Sequence, residues 1–511
     1  WYLLRELIKE VALPIILATV ILYWGSLRIK KNGFNKKLEV PYGFRGVPGI
    51  GFLVHFKDLN CQRKLIEMKE RYGKICKVRM GSYECVFLND YELIRDAWNN
   101  SSFCGRPNIP GITLRTKGFK GGIIFNDGRD FTVQRRFVIQ HLKNLGFGKS
   151  IMESFILEEL DSIKIGIENQ NGRPMSTHHL FNIASFNILW RIITGGSRFA
   201  HDDPEMSMLM KVLNRNMGLT DGARAAFFMP WLSKYFPWFI GWKTYINDAN
   251  YIFDFWMKYA KNAELNYGDS PNVTRDGFFT AYLDKIRQCK DPQSSFYKTE
   301  GVKSFATVLQ DIYIAGSETT ATTLQWMFLY LAAFPSCQRK VAEEVLQNLG
   351  HSTTVTFEDK YRLPYTEAFI KEVLRFSTLA PLGMLHSTTE DVEFHGYFIP
   401  KDTIVMTNVC AVHYDKTYWE EPHEFNPERF LSEDGKKVVV DCDGYMPFSI
   451  GKRFCPGAEL AKQTLFLSLV CLIQKFEVIK EPGNNIVLLP NIGVSAMPCS
   501  HKLIFVKRKL E

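Results

Sequence analysis

The hydrophobic pattern of the chain changes along its length between helical and strand-like spacing. Apolar residues at helical spacing dominate residues 130 to 380 and recur in the segment Ala458–Phe476. Two other segments, Pro400–Val412 and Ile486–Val506, are strand-like. The pattern therefore predicts a mainly α fold with a smaller β-rich part.

The segment Val11–Leu27 is uncharged and mostly apolar, at the short end of the lengths that span a bilayer. It is followed by the basic residues Arg28, Lys30, Lys31, Lys36 and Lys37. Because positive charge collects on the cytoplasmic side of a membrane helix, we predict a membrane anchor over residues 1–27, with the rest of the chain in the cytosol. A cleaved signal peptide is the alternative, but we find no small-residue cleavage site.

Residues 28–50 are expected to form a basic stop-transfer segment and then a stiff, turn-rich hinge, since Pro41, Gly43, Gly46, Pro48 and Gly49 favour turns. Residues 51–511 contain no internal repeat and no long Gly/Ser-rich or Pro-rich linker, which predicts one large domain. With 46% hydrophobic and 14% aromatic residues, the chain has ample material for a sizeable core.

The amino-acid composition limits the cellular compartments and the classes of partner that are compatible with this chain. The eleven cysteines are odd in number and form no C-x-x-C pair or zinc-like cluster, which indicates a reducing compartment. The net charge is +9, from 63 basic and 54 acidic residues. This charge is not gathered into a stripe with interleaved aromatic residues, so we exclude a nucleic-acid partner. Solubility and the juxtamembrane lysines explain part of it, and a basic face for an acidic protein partner is the functional alternative.

The segment Phe227–Trp242, FFMPWLSKYFPWFIGW, is too aromatic for an ordinary exposed loop. Its prolines disfavour a continuous helix. A buried core segment is one interpretation. Because Trp231, Trp238 and Trp242 are interspersed with Lys234 and Lys243, we favour a surface that enters the membrane interface and admits a lipophilic substrate.

The segment Phe448–Gly457, FSIGKRFCPG, places Cys455 in a setting that suits a metal-bound thiolate. Arg453 supplies a positive charge, and we expect Gly451 and Gly457 to adopt backbone conformations that let the loop wrap the sulfur. A helix is predicted to begin just after the loop, with a dipole that favours negative charge near Cys455. Its apolar face is formed by Leu460, Thr464, Leu467 and Val470. An ordinary buried thiol is the alternative for Cys455.

The spacing F-x-x-G-x-R-x-C-x-G, formed by Phe448, Gly451, Arg453, Cys455 and Gly457, resembles the haem-ligand loop of the cytochrome P450 (haem-thiolate monooxygenase) family. The chain is most similar in character to microsomal animal members that hydroxylate drugs and steroids. The resemblance implies that Cys455 is the axial ligand of haem b iron and that residues 51–511 form the haem-thiolate catalytic domain. It also implies a mainly helical fold with its smaller β-rich part near the N-terminus.

The predicted helix Asp311–Trp326 contains Ala315, Gly316, Glu318 and Thr319, which a purely structural helix does not need. We expect the Thr319 hydroxyl to bond the Ala315 carbonyl, loosening the helix and admitting water beside Gly316. A Thr-rich core helix is the alternative. The run AGSETT resembles the oxygen-activation motif of the family, which implies that Thr319 hydrogen-bonds dioxygen, that Glu318 supplies protons, and that Ala315 and Gly316 lie beside the haem.

Two further sets of residues follow from the resemblance. Glu372 and Arg375 match the E-x-x-R motif and Arg429 matches the arginine of P-E-R-F, which implies a buried triad that fixes the cysteine loop. The haem propionates call for donors, and the resemblance nominates Arg106, Arg135, His386 and Arg453. The family usually has tryptophan where this chain has Phe131, so we expect one propionate donor to be lost and the aromatic packing to be kept.

The resemblance places the substrate pocket at Ile124, Phe125, Ala315, Thr319, Ala380, Met384 and Val494. All but Thr319 are apolar, so we expect binding by apolar burial, of a steroid, fatty acid, terpenoid or xenobiotic.

The implied reaction inserts an oxygen atom from dioxygen into such a substrate, by hydroxylation or epoxidation. Electrons would come from NADPH through a separate flavoprotein reductase, since the chain has no G-x-G-x-x-G segment of its own. Lys452 is a candidate docking contact, and cytochrome b5 is a further candidate partner. The expected location is the endoplasmic reticulum membrane, with the catalytic domain on the cytosolic side. A haem-thiolate isomerase or dehydratase acting on peroxides and a non-catalytic haem sensor are the alternatives.

Overall fold

The computed structural model describes residues 39–509, apart from 45, 48, 58–60, 145–149, 201–202, 218–220, 266–276, 352–353, 440–441 and 494. The predicted anchor and most of the basic stop-transfer segment lie outside the described residues. Within the described ranges, no helix combines the length and the apolar character needed to cross a membrane.

The fold is mainly helical, as predicted. The α-helices of the described part are α1 (Cys61–Tyr72), α2 (Tyr91–Asn99), α3 (Pro110–Leu114), α4 (Gly128–Asn144), α5 (Ser150–Glu168), α6 (His178–Thr194), α7 (Pro204–Met217), α8 (Asp221–Phe228), α9 (Pro230–Tyr235), α10 (Trp242–Leu265), α11 (Phe278–Gln288), α12 (Lys298–Ala333), α13 (Pro335–Leu349), α14 (Pro364–Ser377), α15 (Val409–His413) and α16 (Ala458–Ile473). Short 3-10 turns cover Phe52–Lys57, Ser101–Phe103, Phe357–Arg362, Pro427–Phe430 and Gly451–Arg453.

The β-rich part is small and draws on both ends of the chain. Its strands are β1 (Ile75–Met80), β2 (Tyr83–Leu88), β3 (His386–Ser387), β4 (Val392–Phe394), β5 (Tyr397–Ile399), β6 (Ile404–Thr407), β7 (Phe476–Lys480), β8 (Pro490–Ile492), β9 (Ala496–Pro498) and β10 (Leu503–Lys507). One sheet has the order β1-β2-β6-β3, and three two-stranded sheets pair β10 with β7, β4 with β5 and β8 with β9. Strand β2 pairs antiparallel with β1 and parallel with β6, with Cys85 opposite Ile404. The main sheet therefore joins N-terminal strands to a strand from the C-terminal third.

Two helices, α12 and α16, form the centre of the helical part. Helix α12 is 36 residues long and packs against α6, α10, α14 and α16. Helix α16 is buried on all sides after its first turn, including Gln463 and Ser468. The predicted single apolar face was therefore too narrow, because neighbouring helices cover α16 from several directions. The helix also ends at Ile473, and β7 begins at the predicted last residue, Phe476.

The strand-like segment Pro400–Val412 forms a strand only over Ile404–Thr407. The side chain of Asn408 then accepts a hydrogen bond from the Ala411 N–H at 3.1 Å and starts α15. The predicted strand is therefore shorter than expected, because Asn408 caps a helix where the β-branched residues alone predict a longer strand.

The hinge segment is docked onto the sheet in its described part. Lys77 of β1 donates its N–H to the Pro41 carbonyl at 2.8 Å and accepts from the Gly43 N–H at 2.9 Å. Gly46 and Gly49 have φ of 63° and 80°, which agrees with the predicted turns.

The aromatic segment is interrupted as its prolines predict, since α8 ends at Phe228 and α9 begins at Pro230. Trp231 and Trp238 are 48% and 75% exposed, whereas Trp242 is only 4% exposed. The expectation that Trp242 shares the exposed surface is wrong, because its ring packs against Phe227 and Tyr245 in a small core of its own.

Candidate haem-thiolate site

The loop Phe448–Gly457 holds Cys455 directly before a helix, as predicted. The Cys455 N–H donates to the Phe448 carbonyl at 3.0 Å, which closes the loop. Gly457 is the N-cap of α16, and its N–H donates to the Cys455 sulfur. The sulfur therefore lies at the positive end of a buried helix.

The two glycines of the loop differ in role. Gly451 has φ of 70°, and a Cβ there would lie 2.5 Å from the Trp98 carbonyl oxygen. Gly457 has φ of −93° and ψ of 6°, which other residues adopt. The expectation of a special conformation holds for Gly451 and is wrong for Gly457. Ser449, with φ of 62°, makes the second unusual turn.

Burial raises the pKa of the Cys455 thiol, and the Gly457 N–H and the Arg135 guanidinium oppose that rise without cancelling it. Arg135 itself donates to the Phe454 carbonyl. A thiolate here consequently needs a further positive charge, which a bound iron ion would supply.

The structure brings Arg106, Arg135, His386 and Arg453 together at one place, although they are far apart in sequence. Burial, together with the neighbouring charge of Arg453, lowers the pKa of Arg106 to about 9. Burial also lowers the pKa of Arg453 to about 10, and Arg135 adds to that effect. Cations crowded in this way favour an anionic ligand.

The Arg453 guanidinium has more hydrogen-bond donors than the protein satisfies among the described residues. One of its terminal nitrogens donates to the carbonyls of Cys104 at 2.6 Å and Asn126 at 2.9 Å. Among the described residues, its Nε and Nη1 are buried without a hydrogen-bond partner. Orphaned donors of a buried guanidinium are costly, so their presence beside Cys455 fits the propionates of haem.

His386 is buried, and its Nδ1–H donates to the Phe103 carbonyl at 2.8 Å. Its ring stacks on Trp98 with centroids 3.7 Å apart. Burial and the nearby charges of Arg106 and Arg453 hold the pKa of His386 well below its usual range, so the ring is neutral. Nε2 is then an acceptor, and His386 must gain a proton before it can donate to a propionate.

Glu318 and Thr319 of α12 form hydrogen bonds with different neighbours. The Thr319 hydroxyl donates to the Ala315 carbonyl, as expected, yet α12 remains helical throughout. A Cβ on Gly316 would lie 2.7 Å from Cδ1 of Leu189, so the glycine allows α6 to approach closely. The space beside Gly316 is thus occupied in part by a side chain.

Glu318 faces α6, where its Oε2 accepts from the Asn182 amide at 3.3 Å. Burial raises the pKa of Glu318, and the charge of His178 together with the hydrogen bond from Asn182 opposes the rise. The raised pKa favours the protonated form of this carboxyl, which suits it to pass on a proton.

The buried triad forms as the resemblance implies. Arg375 donates two parallel hydrogen bonds of 2.7 Å to Glu372, and both side chains are fully buried. Arg429 adds a third at 3.3 Å. Each arginine also donates to backbone carbonyls, so the buried charges are satisfied.

The triad is connected to the cysteine loop through His413. Arg375 donates to the His413 carbonyl at 2.7 Å, and His413 Nε2 accepts from the Met446 N–H at 3.2 Å. The Ser449 N–H donates to the Met446 carbonyl at 3.1 Å, next to Phe448. This path supports a role for the triad in holding the loop.

Residues 41–505 match the family described as Cytochrome P450. The chain belongs to the cytochrome P450 family. It is 33% identical over 506 residues to Cytochrome P450 2J2 of Homo sapiens, covering 96% of this chain and 95% of the relative. It is also 31% identical over 488 residues to Cytochrome P450 2C5 of Oryctolagus cuniculus, with 93% and 96% covered. A third relative, Cytochrome P450 2K4 of Oncorhynchus mykiss, is 30% identical over 516 residues, with 99% of each chain covered. Membership implies a haem-thiolate oxidoreductase of the monooxygenase class in general.

Arg106 connects two of the chain segments that carry predicted pocket residues. Arg106 donates from Nε to the Ile124 carbonyl at 2.8 Å and from another nitrogen to the Leu385 carbonyl, next to Met384. Ala380 and Met384 are exposed, and Phe125 is partly buried. Val494 lies outside the described residues.

An ion pair between Asp311 and Arg115, which the sequence patterns did not predict, also lies in this part of the P450. Asp311 is fully buried, and its carboxylate accepts from Arg115 at 2.6 Å and from the N–H groups of Ile123 at 2.6 Å and Ile124 at 2.9 Å. The Arg115 guanidinium lies 4.8 Å from the centre of the Phe125 ring. An acid next to apolar residues of α12 was the available signal, but its partner lies 196 residues away in sequence.

Proposed function

We propose that this P450 inserts one oxygen atom of dioxygen into a lipophilic substrate, by hydroxylation or epoxidation, with NADPH-derived electrons from a separate flavoprotein reductase. The observation that carries the proposal is the buried guanidinium of Arg453, which keeps two orphaned donors beside the Cys455 loop. Such donors fit haem propionates, and Cys455 would hold the iron.

Haem ligated by a thiolate supplies reductive activation of dioxygen when it is bound. Arg106, Arg135 and Arg453 would anchor its propionates, and Phe448 and Gly451 shape the loop around the sulfur. Burial raises the pKa of Glu318, so this carboxyl keeps its proton more readily than an exposed glutamate would. Thr319 can turn its hydroxyl from the Ala315 carbonyl toward the reacting oxygen and pass that proton on.

Apolar burial would select the substrate, since Ile124, Phe125, Ala380, Met384 and Val494 offer no charge. The charge of Arg115 nearby is balanced by Asp311. Burial of apolar surface contributes roughly 25 cal/mol per Å². Steroids, fatty acids, terpenoids and xenobiotics all fit this description.

We place the protein at the endoplasmic reticulum membrane with its catalytic domain on the cytosolic side. Trp231, Trp238 and Phe239 are exposed, and the Lys243 ammonium lies 3.8 Å from the centre of a Trp238 ring. Aromatic and basic side chains in this arrangement favour a lipid interface. Lys452 and neighbouring basic residues are candidate contacts for the reductase, and cytochrome b5 is a second candidate partner.

The partly buried acid next to Thr319 favours oxygenation over a peroxide isomerase or dehydratase, which needs neither group. The test is reconstitution of the full-length protein with reductase, NADPH and a panel of the four substrate classes. We expect a thiolate-type spectrum of the reduced carbon monoxide complex that is lost in Cys455→Ala but kept in Cys471→Ala, a matched buried cysteine of α16. Haem binding without NADPH consumption or oxygenated product would overturn the proposal, and turnover of a peroxide without reductase would favour the isomerase.

A further inference from the structure

A polar seam runs between α6, α12 and the segment before β10. On α12, Glu318 and Gln325 are two turns apart and lie on the same side of the helix. On α6, His178 and Asn182 are one turn apart. Asn182 donates to Glu318 at 3.3 Å, and the Gln325 amide donates to Nδ1 of His178 at 3.1 Å. The two polar pairs therefore face each other along one helix contact.

The C-terminal segment forms the third side of the seam. Met175 and Leu503 exchange both backbone hydrogen bonds, at 2.9 and 3.0 Å. Burial, and more weakly the nearby charge of His178, lowers the pKa of His501, so the two histidines are neighbours. His501 donates from Nδ1 to the Cys499 carbonyl at 2.9 Å.

Two groups of the seam lack partners among the described residues. They are the hydroxyl of Thr177, which is 1% exposed, and the Nε2 atom of His501. Buried polar atoms in this condition are usually satisfied by ordered water. His178 and His501 are only partly buried, so the outer end of the seam reaches solvent.

We propose that solvent protons reach Glu318 through this seam, with His178 and His501 at its outer end, water at Thr177, and Asn182 beside the carboxylate. The inference rests on the proposed monooxygenase function, in which NADPH, a proton, dioxygen and R–H give NADP⁺, water and R–OH. That reaction consumes a solvent proton for each product. His178 and His501 act through Glu318 and are positioning residues.

The test compares the full-length protein with the double variant His178→Gln, His501→Gln. We expect kcat about tenfold lower, below the 10²–10⁴ typical of losing a general acid itself, with KM unchanged. The solvent deuterium isotope effect on kcat should rise, and the reduced carbon monoxide spectrum should stay thiolate-type. His395→Asn, a change at an exposed histidine that pairs with Asp96, is the control and should match wild type.

A readout independent of turnover is a high-resolution crystal structure of the haem-loaded protein, in which we expect ordered water bridging Thr177 and His501. Thr177→Val should remove that water, and this single variant carries the test if the double variant fails to bind haem. The proposal is overturned if the crystal structure shows no ordered water between Thr177 and His501. It is also overturned if the double variant has the kcat and the solvent isotope effect of the wild type. Glu318→Gln distinguishes failure of this inference from failure of the proposed function. If its kcat and isotope effect also match wild type, the proposed proton role of Glu318 itself is wrong.

Discussion

The Arg453 guanidinium lies over the Phe131 ring, with its central carbon 3.3 Å from the ring centroid. Phe131 thus keeps the packing role expected of an aromatic residue here and offers no hydrogen-bond donor. The stack holds the guanidinium with Nε and Nη1 unpaired. The Phe131 ring therefore orients the Arg453 guanidinium, and hydrogen bonds to a propionate would have to come from the guanidinium alone.

Phe131→Trp should keep the stack and add an indole N–H toward the propionates. A hydrogen bond contributes about 1 kcal/mol, so we expect haem release to slow roughly fivefold. Transfer of haem to an excess of apomyoglobin measures this rate. Phe131→Leu, which removes the ring, should release haem faster than wild type. Equal rates in all three proteins would show that position 131 does not support haem binding.

The two glycines of the cysteine loop give a second prediction. Gly451→Ala should destabilise the protein by more than about 1–2 kcal/mol, the cost of a left-handed backbone, because its Cβ would also meet the Trp98 carbonyl at 2.5 Å. Gly457→Ala should change the stability by less than about 0.5 kcal/mol, since its φ is ordinary and its nearest atom is the Cys455 sulfur at 4.0 Å. Urea unfolding of the two variants checks the difference, and equal losses would contradict it.

Short-range patterns predicted much of this site because their partners lie within one or two helical turns. The Thr319 bond to Ala315, the Glu372–Arg375 pair and the position of Cys455 before α16 are of this kind. Patterns of polarity could not place residues whose surroundings come from distant segments. Trp242 is buried because separate elements cover it, although its sequence context resembles that of the exposed Trp238.

The same limit applies to electrostatics. The family resemblance suggested His386 as a donor, but whether its ring carries a charge depends on burial and on Arg106 and Arg453, which reach it from other parts of the chain. The partnership of Arg115 with Asp311 is equally long-range. Residue types were predictable, whereas protonation and pairing required the fold.

His413 predicts how stability depends on pH. Burial and the Arg375 charge lower the pKa of His413 to about 3, whereas an unfolded histidine titrates near about 6.5. Below about pH 6.5 the unfolded state therefore binds more protons, and this residue's contribution to stability falls as the pH drops toward 3, by up to about 1.4 kcal/mol per pH unit. His413→Asn should flatten the curve of unfolding free energy between pH 6.5 and 5 and leave its slope above pH 7 unchanged. An identical slope in both proteins below pH 6.5 would contradict the assignment.

Thr319 gives the sharpest test of the proposed oxygen chemistry. Thr319→Ala removes the hydroxyl that donates to the Ala315 carbonyl. In the proposed mechanism this hydroxyl also passes on the proton from Glu318. We expect product formed per NADPH to fall about tenfold, less than the 10²–10⁴ of losing a general acid, with the missing electrons recovered as hydrogen peroxide. Thr323→Ala is a matched control, because its hydroxyl makes the same kind of bond one turn later, to the Thr319 carbonyl at 2.8 Å. The control should stay coupled, and Thr319→Ser should restore much of the coupling. If Thr319→Ala and Thr323→Ala were equally coupled, the hydroxyl of Thr319 would be a helix-stabilising group only.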